Sequence, residues 1–320
     1  MQSTLSGRIL FNMPTRRFAV LGQPVKHSLS PLIHGTFFET HGLDATYEPI
    51  EMAPEDLPDA LISLSEAGFA GFNVTFPLKA AVVLSLAEIS ELASRLQAVN
   101  TLVRIDSVTG ALSGSGPVGE FPTPSSIQFP GCVPYRGENT DGDGFCMYLE
   151  REQGVSVSES RFLLLGAGKT SRSILLALEA RGVRDVRMIN RSREKLEDAF
   201  MAALKARQPG WTSWCQADLS AEDYTDLFDV DWIVHATSLG LSGAGADFPW
   251  PLDRMPNSAR VVDLNYLAGA STPFLVALPK RIHSLDGSGM LAYQAACAFE
   301  FWWGFFPRMD GVLERLSRGP

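Results

Sequence analysis

"FLLLGAGKTS", residues 162–171, decides the fold. Four apolar residues run into a Gly-x-Gly turn, and helix-forming sequence, "RSILLALEA", follows. In such a unit Gly166 allows the tight turn, with Ala167 next, and Gly168 lets the backbone approach a pyrophosphate. Small Ser171 stands in for a third glycine where helix and strand touch. The N–H groups and positive partial charge at the helix start favour phosphate oxygens. A second strand, "VRMIN", follows about 20 residues on, as a dinucleotide-binding βαβ unit requires. It ends in Asn190, Arg191, Ser192 and Arg193, with no acid before Glu194. A site for NAD would offer a carboxylate to the ribose there, whereas arginine accommodates a 2′-phosphate. NADP is therefore the expected cofactor. "GKT" also suggests a nucleotide triphosphatase loop, but that motif needs glycine at position 163, which is Leu.

Outward from this unit the same alternation continues. Upstream, "RFAVLG" and "ATYEPIE" read as strands, with helices around Leu32–His41 and through "PEDLPDALISLSEAG". "GFNVTFP" is the next strand, a helix is expected from about Lys79, and "AVNTLVRI" reads as a further strand. This rhythm predicts a mostly parallel sheet flanked by helices. The stretch from Asp106 to Pro134 is rich in Gly, Ser and Pro and is expected to be a long mobile loop, reaching to about Arg136. The fold class expected is α/β with two domains. Residues 1–147 form an open, mostly parallel first domain, completed by a C-terminal helix over 289–320. Residues 148–288 form a Rossmann-type NADP-binding domain, with the boundary in the polar segment between Met147 and Ser160.

"GFNVTFPLK", residues 71–79, poses the chemical question. Phe72, Val74, Phe76 and Leu78 alternate as a half-buried strand does, while Asn73, Thr75 and Lys79 share the other face. Pro77 forbids continuation as an interior strand. An ammonium group just past a strand end is either solvated or facing a ligand, because open α/β sheets bind ligands at the carboxyl ends of their strands.

Composition narrows the partners. The chain has 320 residues, enough for two domains by the ~150-residue prior, and 27 basic against 36 acidic residues give a net charge of −9. That balance argues against nucleic acid or a membrane surface. Cys132, Cys146, Cys215 and Cys297 are far apart with no CxxC pair, which suits reduced thiols and gives no metal site. "MLAYQAACAFEFWWGFF" contains Gln294 and Glu300 and falls short of a membrane span. The first residues lack an apolar signal region, so a soluble cytoplasmic protein is expected.

Taken in order, the motifs resemble the shikimate dehydrogenase family from about Phe18 to Gly304. They are "GQPVKHSLSPLIH", "NVTFPLK", "AVNT", "ENTDGDGF", "GAG", "NRS", "ATSLG", "DLNY" and "GSGMLAYQAACAFEFW". The resemblance implies an NADP-dependent enzyme interconverting 3-dehydroshikimate and shikimate, acting on a small molecule as a monomer or homodimer. It makes Lys79 and Asp141 the catalytic pair, which fits a ketone reduction needing a proton at the developing alkoxide. Ser28 and Ser30 match the hydroxyls that hold the substrate carboxylate, and Thr75, Asn100, Tyr266 and Gln294 match further substrate contacts. Gly166, Ala167, Gly168, Lys169, Thr170, Asn190, Arg191, Ser192, Arg193, Thr237, Ser238 and Gly287 are the implied cofactor contacts. His27 and His34 are expected to be structural.

Departures from the family pattern are Lys169 and Thr170 for the usual Gly and Ala, and Gly35 for Asn. His235 also replaces the Asn before "ATS", and the 106–136 loop is enlarged. Within the family, quinate or dual quinate/shikimate specificity is the alternative, and a non-catalytic ligand sensor is a different class. The unaltered Ser-x-Ser with Thr75 favours shikimate, because a quinate site must accommodate one more hydroxyl.

Overall fold

Apolar strands that need cover on both faces dictate the architecture. The computed structural model describes residues 15–105, 132–203, 210–241, 247–267 and 269–318, except for the side chains of 200–203. The first sheet takes β1 (Arg16–Gly22), β2 (Ala45–Glu51), β3 (Phe69–Val74), β4 (Leu86–Ile89), β5 (Thr101–Arg104) and β6 (Val133–Glu138). Their order is β2-β1-β3-β5-β6-β4, and only β5 runs antiparallel to its neighbours. Helices α1 (Ser30–His41), α2 (Leu57–Glu66) and α3 (Glu91–Leu96) connect these strands.

Helix α4 (Asp141–Glu152) then leads into the second sheet. It holds β7 (Phe162–Leu165), β8 (Asp185–Asn190), β9 (Gly210–Cys215), β10 (Trp232–His235), β11 (Arg260–Asp263) and β12 (His283–Leu285). Between them lie α5 (Lys169–Ala180), α6 (Arg193–Ala203), α7 (Asp223–Leu227) and α8 (Pro273–Ala277). All six strands are parallel in the order β12-β11-β10-β7-β8-β9. This is the doubly wound dinucleotide-binding order, and its reversal point falls between β7 and β10. Every residue of β7 is buried, as expected for a central strand covered on both sides.

The chain closes with α9 (Ser288–Trp303) and α10 (Val312–Arg318). Helix α9 returns to the first sheet and packs Ala292, Ala295, Ala296, Phe299 and Trp302 against Phe18, Ile33 and Phe37. Trp302 stacks on Phe18 at 4.5 Å and donates its indole N–H to the Leu102 carbonyl at 2.8 Å.

Three sequence expectations need correction. The helix expected from Lys79 is a short 3₁₀ turn, Ala81–Ser85, followed by β4. Val82 and Leu86 both enter the first core, and a tight turn into a strand gives them that cover. The C-terminal helix is broken, because Gly304 adopts φ 75° and caps α9 through its N–H to the Glu300 carbonyl at 2.7 Å. The end of the expected long loop is strand from Val133 on. Residues 106–131, and the mobility expected of them, lie outside the described residues.

His34 is a structural histidine under α9. Its ring stacks on Tyr47 at 4.5 Å, lies 4.8 Å from Trp302, and is fully buried. Neither ring nitrogen has a hydrogen-bond partner. Burial pushes the imidazole down to about 3, against a weaker opposing pull from the Asn73 side chain. A base whose folded value is depressed binds more protons when unfolded, so stability is lost as pH falls from about 6.5 toward 3. The slope cannot exceed about 1.4 kcal/mol per pH unit. His34→Phe keeps the ring but removes the proton site. Urea unfolding between pH 7 and pH 4 is expected to show wild type losing stability more steeply than this variant. Equal slopes would show that the ring is protonated within the fold.

Candidate active site

Strand β3 ends at Val74, where Pro77 prevents further pairing, and the chain turns across the carboxyl edge of the first sheet. Thr75 and Lys79 are carried on that turn. Because β5 runs antiparallel, its start lies at the same edge, which brings Asn100 alongside. Helix α4 begins there too, with Asp141 as its first residue, where the helix dipole favours a carboxylate.

Lys79 Nζ contacts Asp141 Oδ2 at 2.6 Å, and Asn100 Nδ2 donates to Asp141 Oδ1 at 2.7 Å. The lysine side chain is 21% exposed and the aspartate 8%, so the ammonium keeps one open face. Behind the pair, Asn139 Oδ1 accepts from the Asp141 N–H at 3.2 Å and from Ser173 Oγ at 2.8 Å. Ser173 Oγ in turn accepts from the Gly142 N–H at 2.8 Å. A side chain of α5, in the second sheet's layer, thus braces the turn that holds Asp141. Asn139 lies in the quoted "ENTDGDGF", but Ser173 does not stand out in the sequence, and their link spans 34 residues.

A cleft of about 820 Å³ opens in front of the pair. All the sequence-predicted substrate residues line it: Ser28, Ser30, Thr75, Lys79, Asn100, Asp141, Tyr266 and Gln294. The Ser30 N–H donates to Ser28 Oγ at 3.2 Å, which holds the two hydroxyl-bearing residues together at the start of α1. Gln294 Nε2 donates to the Leu291 carbonyl at 3.0 Å, leaving its oxygen toward Asn100. Burial pushes the Tyr266 phenol up, so it stays a neutral donor. Asn73 also lines the cleft and accepts from the Tyr47 hydroxyl at 2.7 Å. Sequence reasoning did not assign it a role, although it shares the strand face of Thr75. Phe76 and Asn265 on the lining were missed as well, and His27, expected to be structural, also lines the cleft.

A second cavity of about 240 Å³ lies over the carboxyl ends of β7 and β8. Gly166, Ala167, Gly168, Asn190 and Arg191 line it, together with Lys195 and Gln216, which the sequence did not single out. Gly166 has φ 114°, and a Cβ there would stand 2.8 Å from Thr237 Cγ2, so only glycine fits. Nothing lies within 4 Å of where a Gly168 Cβ would be, and no side chain caps α5. Its first N–H groups are therefore open to an anion. That cradle and the cations at 191 and 195 fit a dinucleotide with an extra phosphate.

The remaining predicted cofactor residues divide. Thr237 and Ser238 line both cavities, while Thr170 and Gly287 line the larger one. Arg193 is paired with Asp218 at 2.6 Å, and Ser192 Oγ accepts from the Lys195 N–H at 3.4 Å; neither lines either of these two cavities. Lys169 reaches across to donate to the Gln97 carbonyl at 3.3 Å. Burial, with Arg172 and Lys79 nearby, pushes its ammonium down.

Comparison with known proteins agrees over nearly the whole length. Residues 20–102 match the shikimate dehydrogenase substrate-binding domain, and residues 149–209 match shikimate / quinate 5-dehydrogenase. A shikimate dehydrogenase (NADP(+)) of Xanthomonas campestris pv. campestris is 35% identical over 95% of this chain and 96% of its own. The crystal structure of shikimate 5-dehydrogenase from Thermus thermophilus, in complex with NADP(H) and shikimate, superposes with a TM-score of 0.72. It is 31% identical and covers 93% of this chain and 97% of its own. Shikimate dehydrogenase from Aquifex aeolicus gives 0.74 at 29% identity, covering 97% and 100%.

Proposed function

This chain belongs to the shikimate dehydrogenase family, and from that premise we propose that it catalyses the reversible NADP-dependent reduction of 3-dehydroshikimate to shikimate, in the shikimate pathway. The observation that carries this reading is the Lys79–Asp141 pair, which faces a cleft whose Thr237–Ser238 wall also bounds the phosphate-binding cavity. Bound NADPH supplies the hydride.

The chain's own residues handle the substrate. Ser28 and Ser30 offer neutral hydroxyls to the carboxylate, which suits a protein of net charge −9 that must hold an anion by local donors. Thr75, Asn100, Tyr266 and Gln294 offer the hydrogen bonds that a hydroxylated ring requires, and each one left unmade would cost specificity. Lys79 delivers the proton to the developing alkoxide, and takes it back in the reverse direction. Asp141 holds the ammonium in place and is itself fixed by Asn100. Arg191 and Lys195 are assigned to the 2′-phosphate, ahead of Arg193, whose guanidinium is engaged by Asp218.

Residues 1–147 with the C-terminal helices form the substrate-binding part in this reading, and 148–288 the cofactor-binding part. Among the described residues no helix is long and apolar enough to cross a membrane. A cytoplasmic monomer or homodimer that binds no nucleic acid completes the proposal.

The direct test is spectrophotometric turnover of shikimate and quinate, each with NADP and NAD. Shikimate with NADP is expected to give the highest kcat/KM, and a quinate preference with NAD would replace the reading with quinate dehydrogenase. Lys79→Ala is expected to lower kcat by ~10²–10⁴-fold with little change in KM, the scale of general acid–base assistance. Near wild-type kcat in folded protein would remove Lys79 from the mechanism. Arg191→Asp is expected to weaken NADP binding far more than NAD binding, since it places a carboxylate beside the extra phosphate. Equal losses for both cofactors, measured by equilibrium titration, would sink the phosphate assignment.

A further inference from the structure

His235 is the departure from the family pattern for which the structure supplies a network. It ends β10 fully buried, with its ring stacked on Phe274 at 4.1 Å and edged by Phe248 and Trp250. Its Nδ1 lies 2.9 Å from Asp263 Oδ1, and its Nε2 lies 2.6 Å from Thr237 Oγ1. Asp263, also fully buried, accepts from the Asn265 N–H at 3.1 Å, from Asn265 Nδ2 at 3.0 Å and from the Thr272 hydroxyl. A carboxylate surrounded by donors accepts from Nδ1, so Nδ1 carries a proton. A neutral imidazole has only one N–H, which leaves Nε2 as a bare acceptor. In the neutral ring the Thr237 hydroxyl donates to it, while its oxygen still accepts from the Leu239 N–H at 3.2 Å.

We propose that His235, oriented by Asp263, is a positioning residue that commits the Thr237 hydroxyl inward and so fixes the wall between the two cavities. Thr237 then turns no hydroxyl proton toward a ligand. Its Cγ2 instead lies against the Gly166 turn, 2.8 Å from where a Cβ on Gly166 would be. Asn265 supports the same wall from behind through its Nδ2, which donates to the Thr237 carbonyl at 2.9 Å. An asparagine at position 235, the residue usual in the family, keeps an amide for Asp263 but is too short to reach Thr237. The His235–Thr237 bond therefore belongs to this chain's own version of the wall.

This inference rests on the cofactor assignment above for its consequence in binding, and on wild-type protein alone for its geometry. Imidazole ¹⁵N NMR of the full chain is expected to show His235 protonated at Nδ1 and bare at Nε2. A proton on Nε2, in the other tautomer or in the cation, would overturn the relay whether or not NADPH binds. Fluorescence titration with NADPH then tests its effect. His235→Asn and Thr237→Val are each expected to raise the Kd about five- to tenfold, the scale of one lost hydrogen bond. The double variant is expected to be no worse than the weaker single, because both remove one link. Multiplied losses, or unchanged Kd in folded His235→Asn, would overturn the role. Wild type failing to bind NADPH would overturn the cofactor assignment and the binding consequence, and leave the tautomer result to decide the relay.

Discussion

Helix α4 can occupy its place only because two of its first four residues have no side chain. A Cβ on Gly142 would lie 2.2 Å from the Ser173 carbonyl oxygen, and one on Gly144 would lie 2.4 Å from the Gln294 nitrogen. Backbone atoms are the obstacles in both cases, so no rotamer change relieves them. The two glycines let α4 sit between α5 on one side and α9 on the other. That close approach places Ser173, Gln294 and Asp141 within one polar network. Asp141 would otherwise stand at a helix start with no brace from the second sheet's layer. The alternation of Asp and Gly in "NTDGDGF" thus has a steric reason as well as a chemical one.

The two sheets then converge on one space from opposite sides. Parallel strands deliver their following loops to the carboxyl edge, and the reversed β5 delivers its preceding residue, Asn100, to that same edge. From the other sheet, the turns after β7 and β10 meet at the reversal point of the strand order. Polar groups from segments distant in sequence are therefore concentrated in one cleft of a chain whose net charge is −9. In the proposed function short-range donors, the hydroxyls at 28 and 30 and the helix start at 169, do the work that a global positive field does elsewhere.

Much of this was legible in the sequence because the signals are local. The apolar run before Gly166, the proline after Phe76 and the alternation in "GFNVTFPLK" each constrain the backbone within a few residues. All eight residues assigned to the substrate side line one cleft. What could not be read depends on partners far along the chain. The pairing of Arg193 with Asp218 withdraws it from the cavity, and Lys195, further along helix α6, lines it instead. Strand β4 was mistaken for helix because a short apolar run has no decisive period, and its pairing with β6 settles the matter. The His235 network joins residues 28 apart, and neither "ATSLG" nor "DLNY" shows by itself that the two segments meet.

The return of α9 to the first sheet has a consequence for the order in which the protein comes into being. Trp302 and Leu102, hydrogen-bonded in the finished core, are separated by 200 residues. A growing chain leaves the ribosome from its N-terminus, and domains fold as units as they emerge. The first sheet, however, lacks part of the cover on one face until α9 is made, and its cleft lacks Gln294 until the same moment. The second sheet, complete at Leu285, has all its strands before then. During synthesis every strand of the second sheet is therefore made before the core around Phe18, Ile33 and Phe37 receives its last partners.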